Sequence, residues 1–426
     1  MSDATQPHRV RGAKLMAGVL AVALSALLAS APFASAAPDP VASGTTTITF
    51  KGAFSKTLKK YGIKLTKISP AKVSRKKATF TVTGGSLDPT TGLGSVTLGG
   101  GMKFKAGKRK APVKALVLDT SKKSLTAKVA GKKMKMASVA GFSFARNGFG
   151  VNLAVKKLKL TGGAASQLNK KLGFTGKSNG KKKGKRALVS KSPAKPFKGN
   201  QAMGSASAET QPGTVTIVPG GNVRFATAEP TVTKLLKVGV KIGTQPPTVT
   251  VDPTPTHPVY DFPITGGNVS PTATAGLVQS AGGLNLVQEF EGGTKTEITL
   301  GNFYLDLAAK TVTVEVVAHS NASKELDLGS LGRSSIADLT LTGATVSVNA
   351  AARTVSVQNA SATLQPIAAE VLDAFRKVAE GGLVKKLVLE GKTEEEAKAI
   401  AAAAFAEDHI TAGNPLGTFS FTAQTQ

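Results

Sequence analysis

The sequence predicts an all-β fold, with two tandem β-sandwich-like domains and short helices near the C-terminus. Three observations predict it. Short runs rich in β-branched residues recur along the chain, each bounded by Gly, Pro, Asp or Lys clusters, as strands are. One glycine-punctuated stretch occurs twice. Helical periodicity shows mainly in a few late segments.

The elements follow in chain order. Arg9, Arg11 and Lys14 precede an apolar run from Leu15 to Leu28, and Ala34-Ser35-Ala36 follows it. This pattern predicts a signal peptide over residues 1–36, cleaved before Ala37. The apolar run is too short for a comfortable membrane span. Strands are expected at 45–50, 78–82, 113–118, 124–129 and 151–160. The stretch LAVKKLKL alternates in part, so one face is buried and the lysine face wet. A short helix is expected over 164–172. Residues 176–213 are rich in Lys, Gly, Ser and Pro and read as a flexible basic linker. Further strands are expected at 215–218, 248–251, 311–317, 344–348 and 354–357, the last two joined by a hairpin loop at 349–353. Ile367, Val371, Phe375 and Val378 form one stripe of a helix over 366–380, which Gly381-Gly382 should end. Thr393-Glu394-Glu395-Glu396 is a capping box that opens a second helix, 394–407. The expected domains are 44–175 and 214–423.

The repeat supports that division. Residues 80–104 laid on 262–286 without gaps give ten identities in 25 positions. They include Phe80/Phe262, Gly85/Gly267, Pro89/Pro271, Gly94/Gly276 and Gly100/Gly282, and apolar positions keep their phase. Upstream, 58–64 (LKKYGIK) answers 235–241 (LLKVGVK). Two copies of one domain are the simplest account. The motif reads as strand, turn and strand, with Gly-Gly permitting positive φ or a bulge. A phosphate-cradling loop would need GK[ST] and a following helix, and neither is here.

Charge divides the same way. Residues 41–200 carry 37 Lys/Arg against Asp88 and Asp119, a net of +35, whereas 201–426 carry 15 against 21 acids, a net of −6. The basic half should attract polyanions in a salt-sensitive manner. Outside a cell these are anionic cell-wall polymers or an anionic surface. Aromatic side chains are too few for specific nucleic-acid binding, since Trp is absent and Tyr numbers three. The chain has no cysteine, which excludes disulfides and thiolate sites. No paired-carboxylate, HExxH or Walker motif is present, so an enzyme is not expected.

The repeated segment resembles the Htaa domain of exported and surface haem-acquisition proteins of actinobacteria. The resemblance is carried by the Gly-x-Val and Gly-Gly phase of 94–101 and 276–283, by Leu118-Asp119 and Leu305-Asp306, by LTGGAA at 160–165, and by NPLGTF at 414–419. It implies a β-rich binding domain that holds haem through an early Tyr supported by a later His. Tyr61 stands near the expected Tyr position in the first copy, and Val238 replaces it in the second. Lys108 stands where the His is expected.

Haem iron accepts a Tyr phenolate or His imidazole. The candidate ligands are therefore Tyr61, beside lysines able to pair propionates, and His257 with Tyr260 in the segment HPVY. Tyr304 and His319 flank strands and read as structural. The expected function is an exported envelope protein, secreted or wall-associated, that binds haem or a related small ligand for iron acquisition. The alternative is a structural or adhesive envelope module whose basic half grips anionic wall polymer and holds no cofactor.

Overall fold

Period-two burial shapes both halves of the chain. The computed structural model describes residues 38–174, 194–290, 293–322 and 327–426. The expected signal peptide, and residues 176–193 of the expected linker, lie outside the described residues.

The first sheet is built from β1 (Asp39–Phe50), β2 (Ile63–Ile68), β3 (Lys72–Val73), β4 (Lys77–Leu87), β5 (Gly94–Ala106), β6 (Arg109–Asp119), β7 (Ser124–Val129), β8 (Lys132–Asn147), β9 (Gly150–Leu160) and β10 (Ala202–Pro212). Helix α1 (Gly52–Lys60) joins β1 to β2, and α2 (Gly162–Leu172) follows β9. The strand order is β2-β5-β6-β7-β8-β9-β10-β1-β4-β3, and β4 also pairs with β5, so the sheet closes on itself. Its interior is one apolar core that includes Phe54, Phe80, Phe104 and Phe197.

The second sheet is built from β11 (Val215–Thr216), β12 (Asn222–Thr227), β13 (Val240–Gln245), β14 (Val249–Asp252), β15 (Val259–Val269), β16 (Gly276–Ser280), β17 (Gly283–Phe290), β18 (Thr294–Asp306), β19 (Thr311–Ser320), β20 (Gly329–Thr340), β21 (Thr345–Asn349), β22 (Thr354–Leu364) and β23 (Pro415–Gln424). Helix α3 (Glu229–Lys237) joins β12 to β13, while α4 (Pro366–Leu389) and α5 (Glu394–Ala404) lie between β22 and β23. Its order is β11-β15-β12-β23-β22-β20-β19-β18-β17-β13, with β14 and β16 on β15 and β16 also on β18. Thus β12 takes the place of β1, β15 that of β4, and β23 that of β10. This is an all-β, two-domain fold.

The repeated motif is the join of two strands in both sheets: β4 to β5, and β15 to β16 and β17. Gly85 and Gly267 have φ of 134° and 128°, and a Cβ on either would run into a facing carbonyl, of Ser95 or Leu277. Only glycine tolerates both the conformation and the approach.

Several expectations are corrected. The expected linker ends in strand: Ala202–Pro212 pairs with both β1 and β9. Its Ala and Ser residues carry little β-propensity, but small residues alternate inward from Gly204 to Ala208. Helices also arise early, at α1 and α3, where Phe54 and Leu58, or Val232 and Leu235, are buried. Gly381-Gly382 does not end α4, which continues to Leu389 and packs against α5 through the buried Ala397 and Ala401. That packing offsets a glycine penalty of about 1 kcal/mol each. The capping box at Thr393 forms as expected.

Only two residues separate β10 from β11. The Asp39 Oδ1 accepts hydrogen bonds from the Thr216 amide (3.3 Å) and hydroxyl (3.1 Å), and burial pushes this carboxyl above its ordinary value. Arg146 Nη1 donates to the Gln426 main-chain oxygen at 2.6 Å. Phe149, from the β8–β9 turn, is buried within the second sheet's core.

Candidate functional site

Tyr61 ends α1. Its amide donates to the Thr57 carbonyl, and Gly62, with φ of 63°, turns the chain into β2. The ring is half-buried and meets Phe174 edge-on, with centroids 5.7 Å apart. Phe174 is placed there because α2 stops at Gly173, a left-handed cap with φ of 83°. Lys60 Nζ lies 6.0 Å from the Tyr61 ring centroid.

The chain that returns toward β10 supplies the other wall. Phe197 is buried against Phe54 and Phe104. The buried Asn169 of α2 grips its backbone twice, donating to the Phe197 carbonyl (2.8 Å) and accepting from its amide (3.2 Å). This anchorage leaves Lys195 and Lys198 exposed on the rim. Together Thr57, Lys60, Tyr61, Lys195, Lys198 and Asn200 line an open cleft of about 420 Å³. Among the described residues, no hydrogen bond engages the Tyr61 hydroxyl.

The corresponding place in the second domain is closed. Val238 caps α3 as Tyr61 caps α1, but it is buried. Lys234 Nζ donates to the His409 carbonyl (2.6 Å), and Lys237 pairs with Asp408 at 3.0 Å. These two lysines occupy the positions of Thr57 and Lys60. Gln288 Nε2 donates to the carbonyls of Val238 (2.6 Å) and Phe375 (2.9 Å), tying α4 over the site. In register Gln288 faces Val240, as Ala106 faces Ile63 in the first sheet. Alanine has no amide with which to make that tie.

The buried polar position on the covering helix is kept but altered. Asp373 lies eight residues past its helix cap, as Asn169 does, and its Oδ1 accepts from the Ile410 amide at 3.1 Å. Burial pushes the Asp373 carboxyl up, but hydrogen bonds from Arg376 and Ile410 outweigh it and hold it below its ordinary value. His409 Nδ1 lies 3.6 Å away.

The other candidates do not converge. Tyr260 sits in the core of the second sheet, where burial pushes its phenol up to about 12. His257 is exposed in the preceding loop, with Nδ1 3.1 Å from the Thr256 hydroxyl. On β15 the alternation that buries Tyr260 turns it away from that loop. Tyr304 donates to Glu315 at 3.3 Å beneath the Arg333 guanidinium, and His319 pairs with Asp327 at 3.2 Å. Lys108 is exposed in the turn between β5 and β6. Sequence reasoning missed Lys195 and Lys198 as rim residues, because they lie far along the chain in a stretch that reads as linker. Among the described residues no group of three or more His, Asp or Glu side chains is placed to hold a metal ion, and no helix is long and apolar enough to cross a membrane.

Residues 238–380 match the Htaa family model. The Htaa match begins at the residue that replaces Tyr61, and it lies in the domain whose cleft is closed. Among solved structures, the crystal structure of the C-terminal domain of HtaA from Corynebacterium glutamicum is 10% identical over 40% of this chain and 98% of that one, with a TM-score of 0.29. A domain-swapped dimer of a His-to-Ala variant of the same HtaA domain is 15% identical over 45% of this chain and 89% of that one, with a TM-score of 0.26. No curated protein matches the chain.

Proposed function

We propose that the chain is an exported cell-envelope binding protein with two diverged Htaa modules, of which the first takes haem through the cleft at Tyr61. The family match in the second domain and the strand order common to both sheets support the duplication. The observation that carries the binding site is the half-buried Tyr61 phenol, bare of hydrogen bonds among the described residues and set beside three lysines on an open cleft.

The residues present fit haem. Tyr61 would supply a phenol oxygen, a recognised ligand of haem iron. Pro196 offers apolar surface on the cleft, and Lys60, Lys195 and Lys198 offer charge to propionates. The bound group is cargo, its iron the element to be acquired. The chain's part is to orient the phenol, which the α1 cap and the Phe174 edge contact do, and to keep the cleft open. No histidine supports Tyr61, so the first module holds its cargo through phenol and lysines alone. The second module, laced shut at Val238, serves as scaffold.

Titration of the purified chain with hemin tests this. A saturable Soret shift is expected, and Tyr61→Phe should weaken binding at least about tenfold, or about 1.4 kcal/mol. Absence of the shift, or equal binding by Tyr61→Phe, overturns the reading. A second reading, an adhesive module that grips anionic wall polymer, is favoured by the unbalanced charge of the first sheet.

A further inference from the structure

Like charges placed directly opposite on neighbouring strands destabilise a sheet. The first sheet does this repeatedly. Lys64 on β2 faces Lys105 on β5, which faces Lys110 on β6. One step further along, Lys114 on β6 faces Lys128 on β7, which faces Lys133 on β8. Paired residues share a face, and Lys110 and Lys114 are four residues apart on one strand, so both rows lie on the same outer face. All six side chains are exposed. Among the described residues none of the six pairs with a carboxylate, and the nearby Asp119 is engaged with Lys122 at 3.8 Å. The inward-facing neighbours on these strands, such as Phe104, Val113 and Val129, are fully buried, so the register that packs the core also aligns the lysines.

We propose that this lysine face binds a flexible phosphate polymer without bases, of the polyol- or sugar-phosphate type, laid across the β2-β5-β6-β7-β8 strands. The proposal deepens the polymer reading above and is independent of the haem cleft. Neighbouring lysines within a row stand about 4.8 Å apart across strands, and the two rows, four residues apart on β6, stand about 13 Å apart along it, so together they lay a charged track across five strands. A twisted sheet rotates by about 20° per strand, so a flat bilayer would meet only part of the face, whereas a flexible polymer can follow it. Each row consists of lysines alone, with no aromatic side chain on which a base could stack. Lysine, a point charge on a mobile stem, suits phosphates whose positions vary.

Binding of the full chain to fluorescently labelled long-chain inorganic polyphosphate tests the proposal, with salt varied. Affinity should fall steeply with salt. A variant with all six row lysines changed to Gln should bind at least about tenfold more weakly. A control with six exposed lysines elsewhere in the first domain changed to Gln (Lys51, Lys56, Lys59, Lys72, Lys76 and Lys77) should stay within about threefold. Equal losses in the two variants would show that net charge alone acts, and would overturn the proposal. So would tighter binding, per phosphate, to phosphatidylglycerol vesicles or to poly(dT), which would assign the face to membrane or to nucleic acid. Circular dichroism melts of both variants establish folding, and the row variant should melt no lower than the parent. The hemin titration should be unchanged in the row variant, so failure here and failure of the haem reading are distinguishable.

Discussion

The two ends of α1 and α3 make an instructive pair. Both helices follow an interior strand of their sheet, β1 or β12, and both lead through a glycine into a strand at one end of the order. In the first domain the place beside the cap is an open cleft walled by Tyr61 and lysines. In the second, Lys234, Lys237 and the Gln288 amide nitrogen are engaged in holding α4 and the returning chain, and Val238 is buried. A few side-chain choices on one backbone plan thus separate an open cleft from a filled one. The covering helices differ at this place: α4 carries the buried Phe375 ten residues past its cap, where α2 has the exposed Lys171.

The largest test of this contrast is Phe375→Ala. Phe375 is fully buried, and its loss should cost about 3–5 kcal/mol. Phe174→Ala, at the outer edge of the first core where the ring keeps 9% exposure, should cost less. Equal losses in thermal denaturation would show that the two sites are packed alike and would break the comparison.

Next comes the polar anchor. Asp373→Asn should cost about 3 kcal/mol, since the Arg376 side chain, 8% exposed, then keeps only Glu380 as an ionic partner. The pH dependence has a definite sign. The folded carboxyl is held below its ordinary value of 3.8, so its stabilisation is complete above that value and is lost as pH falls through the folded one. Denaturant titrations on the acid side should therefore show a steeper loss in the parent than in Asp373→Asn. At Asn169 the amide already satisfies both groups of Phe197, and this part of the first domain should show no such acid limb.

The smallest effect belongs to the lysine rows. Lys105→Gln removes a like charge opposite both Lys64 and Lys110 and should raise stability by about 0.5 kcal/mol at low salt. The gain should fade toward 1 M salt as screening shortens. A loss of stability instead would show that Lys105 makes favourable contacts.

Much of this was legible in the sequence, for identifiable reasons. The run 124–129 reads as strand and is strand, because branched and aliphatic residues announce a half-buried surface. The hairpin at 349–353 was marked by its loop residues. β10 was not legible, because Ala and Ser pack well in a sheet but signal nothing about it. Helix α1 was hidden because only Phe54 and Leu58 face the core amid lysines. Tyr61 stood out by rarity and position. The rim it shares with Lys195 and Lys198 depends on a long-range return of the chain, which local pattern cannot carry. The lysine rows depend on register, and register is a property of two strands at once.

The short join between β10 and β11 has a consequence for how such a protein could be cut and used. A protease nick there would not free two halves, because the ring of Phe149 is sunk in its neighbour's core and the Asp39–Thr216 and Arg146–Gln426 contacts span the seam. Tandem binding modules on slack tethers search independently and gain reach. Here a two-residue join, a buried ring and the seam hydrogen bonds take the place of a tether, and the two sheets meet as one packed unit.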